Sequence, residues 1–154
     1  PLLTLGAGFA ISIDTIQLYS QEFYNLIILG IPLGLLTTNI LFINQYPDYT
    51  SDKKVGKNHL VVLLGKKASR WIYALNFALA VGSLYFISES ILNETQSSLF
   101  LYVLIPITMI YSYYLISGVF KYYNSRELIK YNIHTIYFHM FFSFIYMIIL
   151  ANFQ

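Results

Sequence analysis

Long apolar segments recur along the chain, and their length limits the fold more than any other feature. Hydrophobic residues make up 57% of the 154 residues and charged residues only 10%, whereas soluble domains carry about 25% charged residues. A helix rises about 1.5 Å per residue and therefore needs about 20 apolar residues to cross a bilayer. We predict an all-α fold, a polytopic membrane helical bundle of about five transmembrane helices in one domain. The predicted spans are residues 1–12, 23–45, 68–91, 98–120 and 129–152.

The first apolar segment is shorter than the other four. It begins at Pro1, without an initiator Met, and no basic residues stand ahead of it as they do in a secretory signal. We therefore expect the chain to begin inside a truncated helix and to be a fragment that lacks the N-terminal half of a longer protein. The chain has no Cys, which excludes disulfides and thiolate metal sites.

The charges separate into two sets that alternate along the chain. All nine basic residues follow the second span or the fourth: Lys53, Lys54, Lys57, Lys66, Lys67 and Arg70, then Lys121, Arg126 and Lys130. The other two connections carry only acids: Asp14 and Glu22, then Glu89 and Glu94. Since basic loops mark the cytoplasmic side, we expect a cytoplasmic loop over residues 46–67 in a multi-pass protein of a bacterial or archaeal cell membrane. Basic clusters beside spans are ordinary topology signals, so no nucleic-acid partner is expected.

Two of the three aspartates in the chain lie at the end of the second span. Asn44, Asp48 and Asp52 are spaced four residues apart, so on a helix they would share one face, about 6 Å per step. Mg²⁺ usually takes one or two carboxylates and completes its shell with water and phosphate. Lys53 and Lys57 follow and can neutralise phosphate charge. The segment predicts a phosphate site bridged by Mg²⁺; the alternative is a hydrophilic loop whose carboxylates pair with neighbouring lysines.

The residues around this Asp pair resemble a known family. Residues 44–57, continuing through 60–65, look like the second Asp-rich motif of the UbiA superfamily of intramembrane prenyltransferases, and residues 32–41 and 1–6 are also similar to its members. The resemblance has specific motifs over about residues 1–70. The pattern Asn-x-x-Pro-Asp-Tyr at residues 44–49 looks most like the menaquinone-type enzymes that prenylate 1,4-dihydroxy-2-naphthoate.

The resemblance implies an activity and roles for the motif residues. Such enzymes have about nine spans and two Asp-rich motifs, and they move a polyprenyl group from polyprenyl diphosphate to an aromatic acceptor within the lipid bilayer. Asp48 and Asp52 would be catalytic Mg²⁺ ligands, with Asn44 as a supporting ligand, and Lys53, Lys57 and Asn44 would bind the diphosphate. This chain would hold the second motif and the last five spans, and alone it would be inactive. Other acceptors, 4-hydroxybenzoate or a chlorophyll- or tocopherol-type ring, stay open.

Two other functions are compatible with aspartates at the edge of a membrane. CDP-alcohol phosphotransferases also use membrane-edge aspartates, but the Asp-Gly and Ala-Arg pairs that precede their ladder do not occur here. Half of a transporter would need charged or unwound positions near the middle of the membrane, and the predicted spans are uncharged there. Both are remote alternatives.

A few polar residues lie inside the predicted spans. Asn39 and Asn76 are expected to form hydrogen bonds between helices. His134 and His139 are five residues apart, about 140° around a helix, and so cannot hold one ion together. Each is expected to be satisfied between helices, and His139 is also a candidate for lining the acceptor pocket.

Overall fold

Four long helices run antiparallel to one another along the chain. The computed structural model describes residues 20–92 and 96–151, without the side chains of residue 22 and residues 96–100. The predicted span over residues 1–12 lies outside them. The described helices are α1 (Gln21–Lys54), α2 (Leu60–Leu64), α3 (Lys66–Ser90), α4 (Gln96–Tyr122) and α5 (Leu128–Ala151).

Length and composition make these helices candidates for crossing a membrane. Four of them, α1, α3, α4 and α5, are long and apolar enough to do so. They match the four full spans predicted from the sequence except at their ends, and the described residues contain no strand. The all-helical membrane bundle is therefore confirmed. In a bilayer the backbone must satisfy its own hydrogen bonds, which is why long apolar segments become helices there.

The first described helix is longer than the sequence suggested. Helix α1 continues through Pro47 to Lys54 instead of ending near residue 45, so the first part of the predicted loop over residues 46–67 is helical. Pro47 removes only the backbone hydrogen bond that its N–H would have given to Ile43. Pro47 is exposed, and the loss of one bond at the rim of the bundle does not stop the helix.

A glycine turn ends α1. The N–H of Gly56 donates to the carbonyl of Lys53 (3.4 Å), and the N–H of Lys57 donates to the carbonyl of Asp52 (3.0 Å). This is the paired hydrogen bonding of a Schellman motif, which places its C′ residue in the left-handed region. Gly56 has φ +74°, a conformation open to glycine at little cost. The turn directs the chain back toward Asp52.

The four long helices form a closed ring. Helix α1 packs against α3 and α5, and α4 packs against the same two helices, while α2 fits between α1 and α3. Aromatic side chains fill the centre. The hydroxyl groups of Tyr73 and Thr135 are 2.7 Å apart across the ring, from α3 to α5, and the rings of Phe77 and Phe138 are 6.1 Å apart at their centroids.

Buried polar side chains join the helices as expected. Asn76 Nδ2 donates to Asn39 Oδ1 at 2.9 Å, and Asn39 Nδ2 donates to the Tyr73 carbonyl at 3.1 Å. The half-buried His134 has its Nδ1 2.9 Å from the Tyr111 hydroxyl. Buried polar groups must find such partners, so the predicted interhelical hydrogen bonds are confirmed.

Helices α4 and α5 pack closely against each other at Gly118. A methyl group at this position would overlap the ring of Tyr131. That ring cannot easily move, because it stacks on Tyr122 with centroids 5.6 Å apart and packs against Tyr114 at 5.4 Å. The absence of a side chain at Gly118 therefore sets the spacing of this helix pair.

We predict that Gly118→Ala destabilises the bundle by about 1–3 kcal/mol, the usual cost of overpacking a tight contact. Gly82→Ala is the matched control, because Gly82 also lies within a helix and has open space where its methyl group would go. That substitution should stabilise by about 0.5–1 kcal/mol. Thermal unfolding in detergent gives both midpoints, and equal midpoints would contradict the close packing of α4 and α5.

Candidate functional site

The three residues of the predicted ladder lie near the carboxyl end of α1. Asn44, Asp48 and Asp52 are all within the helix, so their spacing of four puts them on one side of it. Asn44 and Asp48 are exposed, whereas Asp52 is only 8% exposed. The helix thus delivers two carboxylates, one turn apart, to the rim of a membrane bundle.

Asp52 is held by two donors from the connection that follows α1. Lys57 Nζ donates to Asp52 Oδ1 at 2.6 Å, and His59 Nε2 lies 2.9 Å from Asp52 Oδ2. The hydrogen bond to Asp52 raises the pKa of the Lys57 ammonium, and the Asp48 carboxylate raises it further. Asp52 therefore shows the local pairing that was the alternative to metal binding. Each carboxylate oxygen has a second acceptor site, so the pairing leaves room for a ligand.

His59 was not singled out from the sequence. Its Nδ1 accepts from the Val62 N–H at 3.4 Å and caps the amino end of α2. Because Nδ1 acts as the acceptor, Nε2 carries the hydrogen that is donated to Asp52. His59 is a polar residue directly ahead of the apolar run at residues 60–64, and this pattern could have identified it as a helix cap. No local pattern in the sequence indicates that the same ring reaches Asp52.

Asn44 pairs with a residue from another helix. Its Oδ1 accepts from Asn132 Nδ2 at 2.6 Å, and Asn132 lies on α5. Asn132 was also missed from the sequence, because only the packing of α5 on α1 brings the two amides together. With that oxygen engaged, Asn44 is a less available ligand than the carboxylates.

A second polar pair also joins α1 and α5. The Asn44–Asn132 pair and this second pair together form what we call the seam. His139 Nε2 lies 2.9 Å from Thr37 Oγ1. Thr37 precedes Asn44 by seven residues and His139 follows Asn132 by seven, two helical turns in each case, so both pairs lie on one face. Polar side chains inside membrane segments usually mark a substrate cavity or an internal contact. Thr37 and Asn44 are both exposed, so the seam is a polar path that leads from Asp48 along an exposed face of α1 toward the middle of its membrane span.

The two predicted diphosphate lysines differ in position. Lys57 contacts Asp52, as described. Lys53 instead lies over the ring of Tyr49, with Nζ 5.7 Å from its centroid, and Lys66 approaches the same ring at 5.5 Å. The structure thus brings Lys57 to the Asp pair and leaves Lys53 on another side of α1.

The carboxylates of Asp48 and Asp52 fit a hard divalent cation that takes most of its ligands from water and substrate phosphate. In the described ranges, 20–92 and 96–151, no group of three or more His, Asp or Glu side chains could enclose a metal. Asp48 forms no ion pair with any described residue, since the salt bridges in this part of the chain involve only Asp52, Lys57 and His59. One exposed carboxylate beside a second one suits Mg²⁺, which binds proteins through one or two carboxylates and substrate phosphates.

Comparison with known proteins gives the geometry a family context. The profile of the UbiA prenyltransferase family matches residues 2–148, nearly the whole chain, and does not distinguish a menaquinone-type subfamily. No curated protein and no solved structure gave a significant match. The match supports a prenyltransferase over a transporter or a CDP-alcohol phosphotransferase, and it implies a prenyl diphosphate and an aromatic substrate. By its extent, and with four helices able to cross a bilayer, the chain belongs to the UbiA prenyltransferase family.

Proposed function

We propose that the carboxyl end of α1 binds the diphosphate of a polyprenyl donor in a Mg²⁺-dependent transfer to an aromatic acceptor. One observation carries the proposal: Asp48 and Asp52 lie on one side of a membrane helix, at the rim of the bundle. The chain belongs to a family of prenyltransferases. Asp48 and Asp52 would hold Mg²⁺, with Asn44 beside them. When bound, the cation neutralises charge on the diphosphate.

The residues of the chain have separate tasks in this proposal. The Lys57 ammonium pairs with Asp52 and stabilises negative charge on the leaving diphosphate as the allylic C–O bond breaks. Lys53, over Tyr49, would act on the diphosphate only from the periphery. The electron pair of the broken bond stays on the diphosphate oxygen, a ring carbon of the acceptor forms the new C–C bond, and the ring then loses a proton.

The acceptor is proposed from the motif rather than from a pocket. The pattern Asn-x-x-Pro-Asp-Tyr at residues 44–49 supports dihydroxynaphthoate and a role in menaquinone synthesis, in which case the ring loses carbon dioxide instead of a proton. The alternative acceptors are 4-hydroxybenzoate and a chlorophyll- or tocopherol-type ring. The amides of Asn44 and Asn132 and the Thr37–His139 pair offer hydrogen bonds to any of these along the seam. The motif would face the cytoplasm, because the connections beside it are basic.

We predict that Asp48→Asn and Asp52→Asn each lower prenyl transfer by about 100-fold or more, the range for losing a key electrostatic group of an active site. The assay uses the full-length protein with polyprenyl diphosphate, Mg²⁺ and each acceptor in turn. Glu127→Gln is the control, since it neutralises an exposed carboxylate of the connection between α4 and α5. Near-normal turnover in either Asp variant, with normal expression of all three, would refute the assignment.

His59 is proposed as a positioning residue that orients the Asp52 carboxylate. We predict that His59→Asn raises the Mg²⁺ concentration needed for half-maximal transfer by about 10–100-fold, as is usual when a partner of a metal ligand is lost. Asn is also a favourable N-cap residue, so α2 keeps its cap while Asp52 loses a donor. Asn58→Ala is the neighbouring exposed control. An unchanged Mg²⁺ dependence in the His59 variant would show that the ring serves only α2.

A further inference from the structure

A second cluster of cations surrounds a cavity at the same rim of the bundle. The cavity has a volume of about 470 Å³ and lies between the end of α1, the start of α3 and the connection from α4 to α5. Lys66 and Arg126 line it together with polar Asn124 and Ser125 and the ring of Tyr123. A neighbouring cavity of about 420 Å³ shares Lys66, Tyr123 and Asn124 and adds Lys67.

The cavity is separate from the Asp pair. Its α1 residues are Tyr46 and Pro47, and Tyr46 is two positions from Asp48, about 200° around the helix. The neighbouring cavity meets α1 at Tyr49 and Thr50. Thr50 shares the side of Tyr46, and Tyr49 lies between that side and the side of Asp52. The two sites therefore use different faces of α1, and a ligand in the cavity would not replace one at the Asp pair.

No described carboxylate balances the charges around the cavity. No carboxylate lines either cavity, and neither Lys66 nor Arg126 forms an ion pair with a described residue. Arg70 adds positive charge near the cavity, because its guanidinium lies 5.0 Å from the ring centroid of Tyr123, a lining residue. Cations gathered without a carboxylate partner create a strongly positive local potential that attracts anions.

The protein also leaves polar atoms unsatisfied beside the cavity. Tyr46 lines it, and the Tyr46 hydroxyl is buried without a hydrogen-bond partner among the described residues, as is Arg70 Nε. Most buried polar groups have a partner. These two atoms have almost no accessible surface, so they add polarity behind the lining without offering a ligand a direct contact.

The rest of the lining is apolar. Pro47, Leu128 and Ile129 form a hydrophobic wall next to the cations. Lys and Arg recognise phosphate oxygens with charge-assisted hydrogen bonds, and basic pockets between membrane helices suit the headgroups of anionic lipids. We propose that this cavity binds a phosphate group, either as the headgroup of an anionic phospholipid or as a soluble phosphate ester. The proposal concerns a different face of α1 from the proposed diphosphate site and does not depend on it.

The test is a binding titration on the full-length protein in neutral detergent, read by native mass spectrometry. The probes are dioleoyl phosphatidylglycerol, dioleoyl phosphatidylcholine and glycerol 1-phosphate, which separate the phosphate charge from the acyl chains. We expect saturable binding of phosphatidylglycerol that exceeds that of phosphatidylcholine and weakens with added salt. If glycerol 1-phosphate binds comparably, the phosphate alone suffices; if only phosphatidylglycerol binds, the ligand is a lipid.

Two variants with equal loss of charge show where the anion binds. K66Q/R126Q should lower the affinity at least about tenfold, because two charge-assisted hydrogen bonds are lost. K54Q/K121Q should leave it within about twofold, since neither residue lines the cavities. The unfolding midpoint without ligand checks the fold, and the single variant R126Q, at an exposed loop residue, serves if the double variant does not fold. Unchanged affinity in K66Q/R126Q, or an equal loss in both double variants, would overturn the proposal.

Discussion

The carboxylate of Asp52 organises the connection between α1 and α3. Lys57 and His59 both donate to it, and they reach it because the glycine turn at Gly56 reverses the chain where α1 ends. The His59 ring then caps α2, which packs between α1 and α3. One nearly buried carboxylate thus links the end of one membrane helix to the start of the next. A change at Asp52 would disturb both the local fold and the charge at the rim.

The rim of the bundle carries two contrasting surfaces on opposite faces of α1. One face presents Asp48 and Asp52 and continues along the exposed side of α1 as the seam formed by the Asn44–Asn132 and Thr37–His139 pairs. The other presents Tyr46 to a cavity whose charged lining is entirely basic. A helix makes this separation possible, because residues two apart point to opposite sides while residues four apart share a face.

Much of the fold could be predicted from the sequence, because the bilayer imposes its demands on each segment separately. An apolar run of about 20 residues becomes a helix whatever surrounds it, and the four full spans were found in this way. The placement of Asp48 and Asp52 on one side of α1 could also be predicted, because it depends only on their spacing along a helix. The end of α1 could not be predicted, because proline usually ends a helix. Pro47 is tolerated only because it lies at the exposed rim of the bundle. His59 and Asn132 were missed because their partners depend on a turn and on the packing of α5, which no local pattern encodes.

The central claim is that the Asp pair at the end of α1 binds the donor diphosphate through a divalent cation. Equilibrium binding of a polyprenyl diphosphate to the full-length protein, with Mg²⁺ and then with excess chelator, tests it without requiring the acceptor to be known. Tight binding that needs Mg²⁺ and is lost in Asp48→Asn, with Glu127→Gln unaffected, is the predicted result. Binding of equal affinity with and without Mg²⁺, or full binding by the Asp48 variant, would contradict the account.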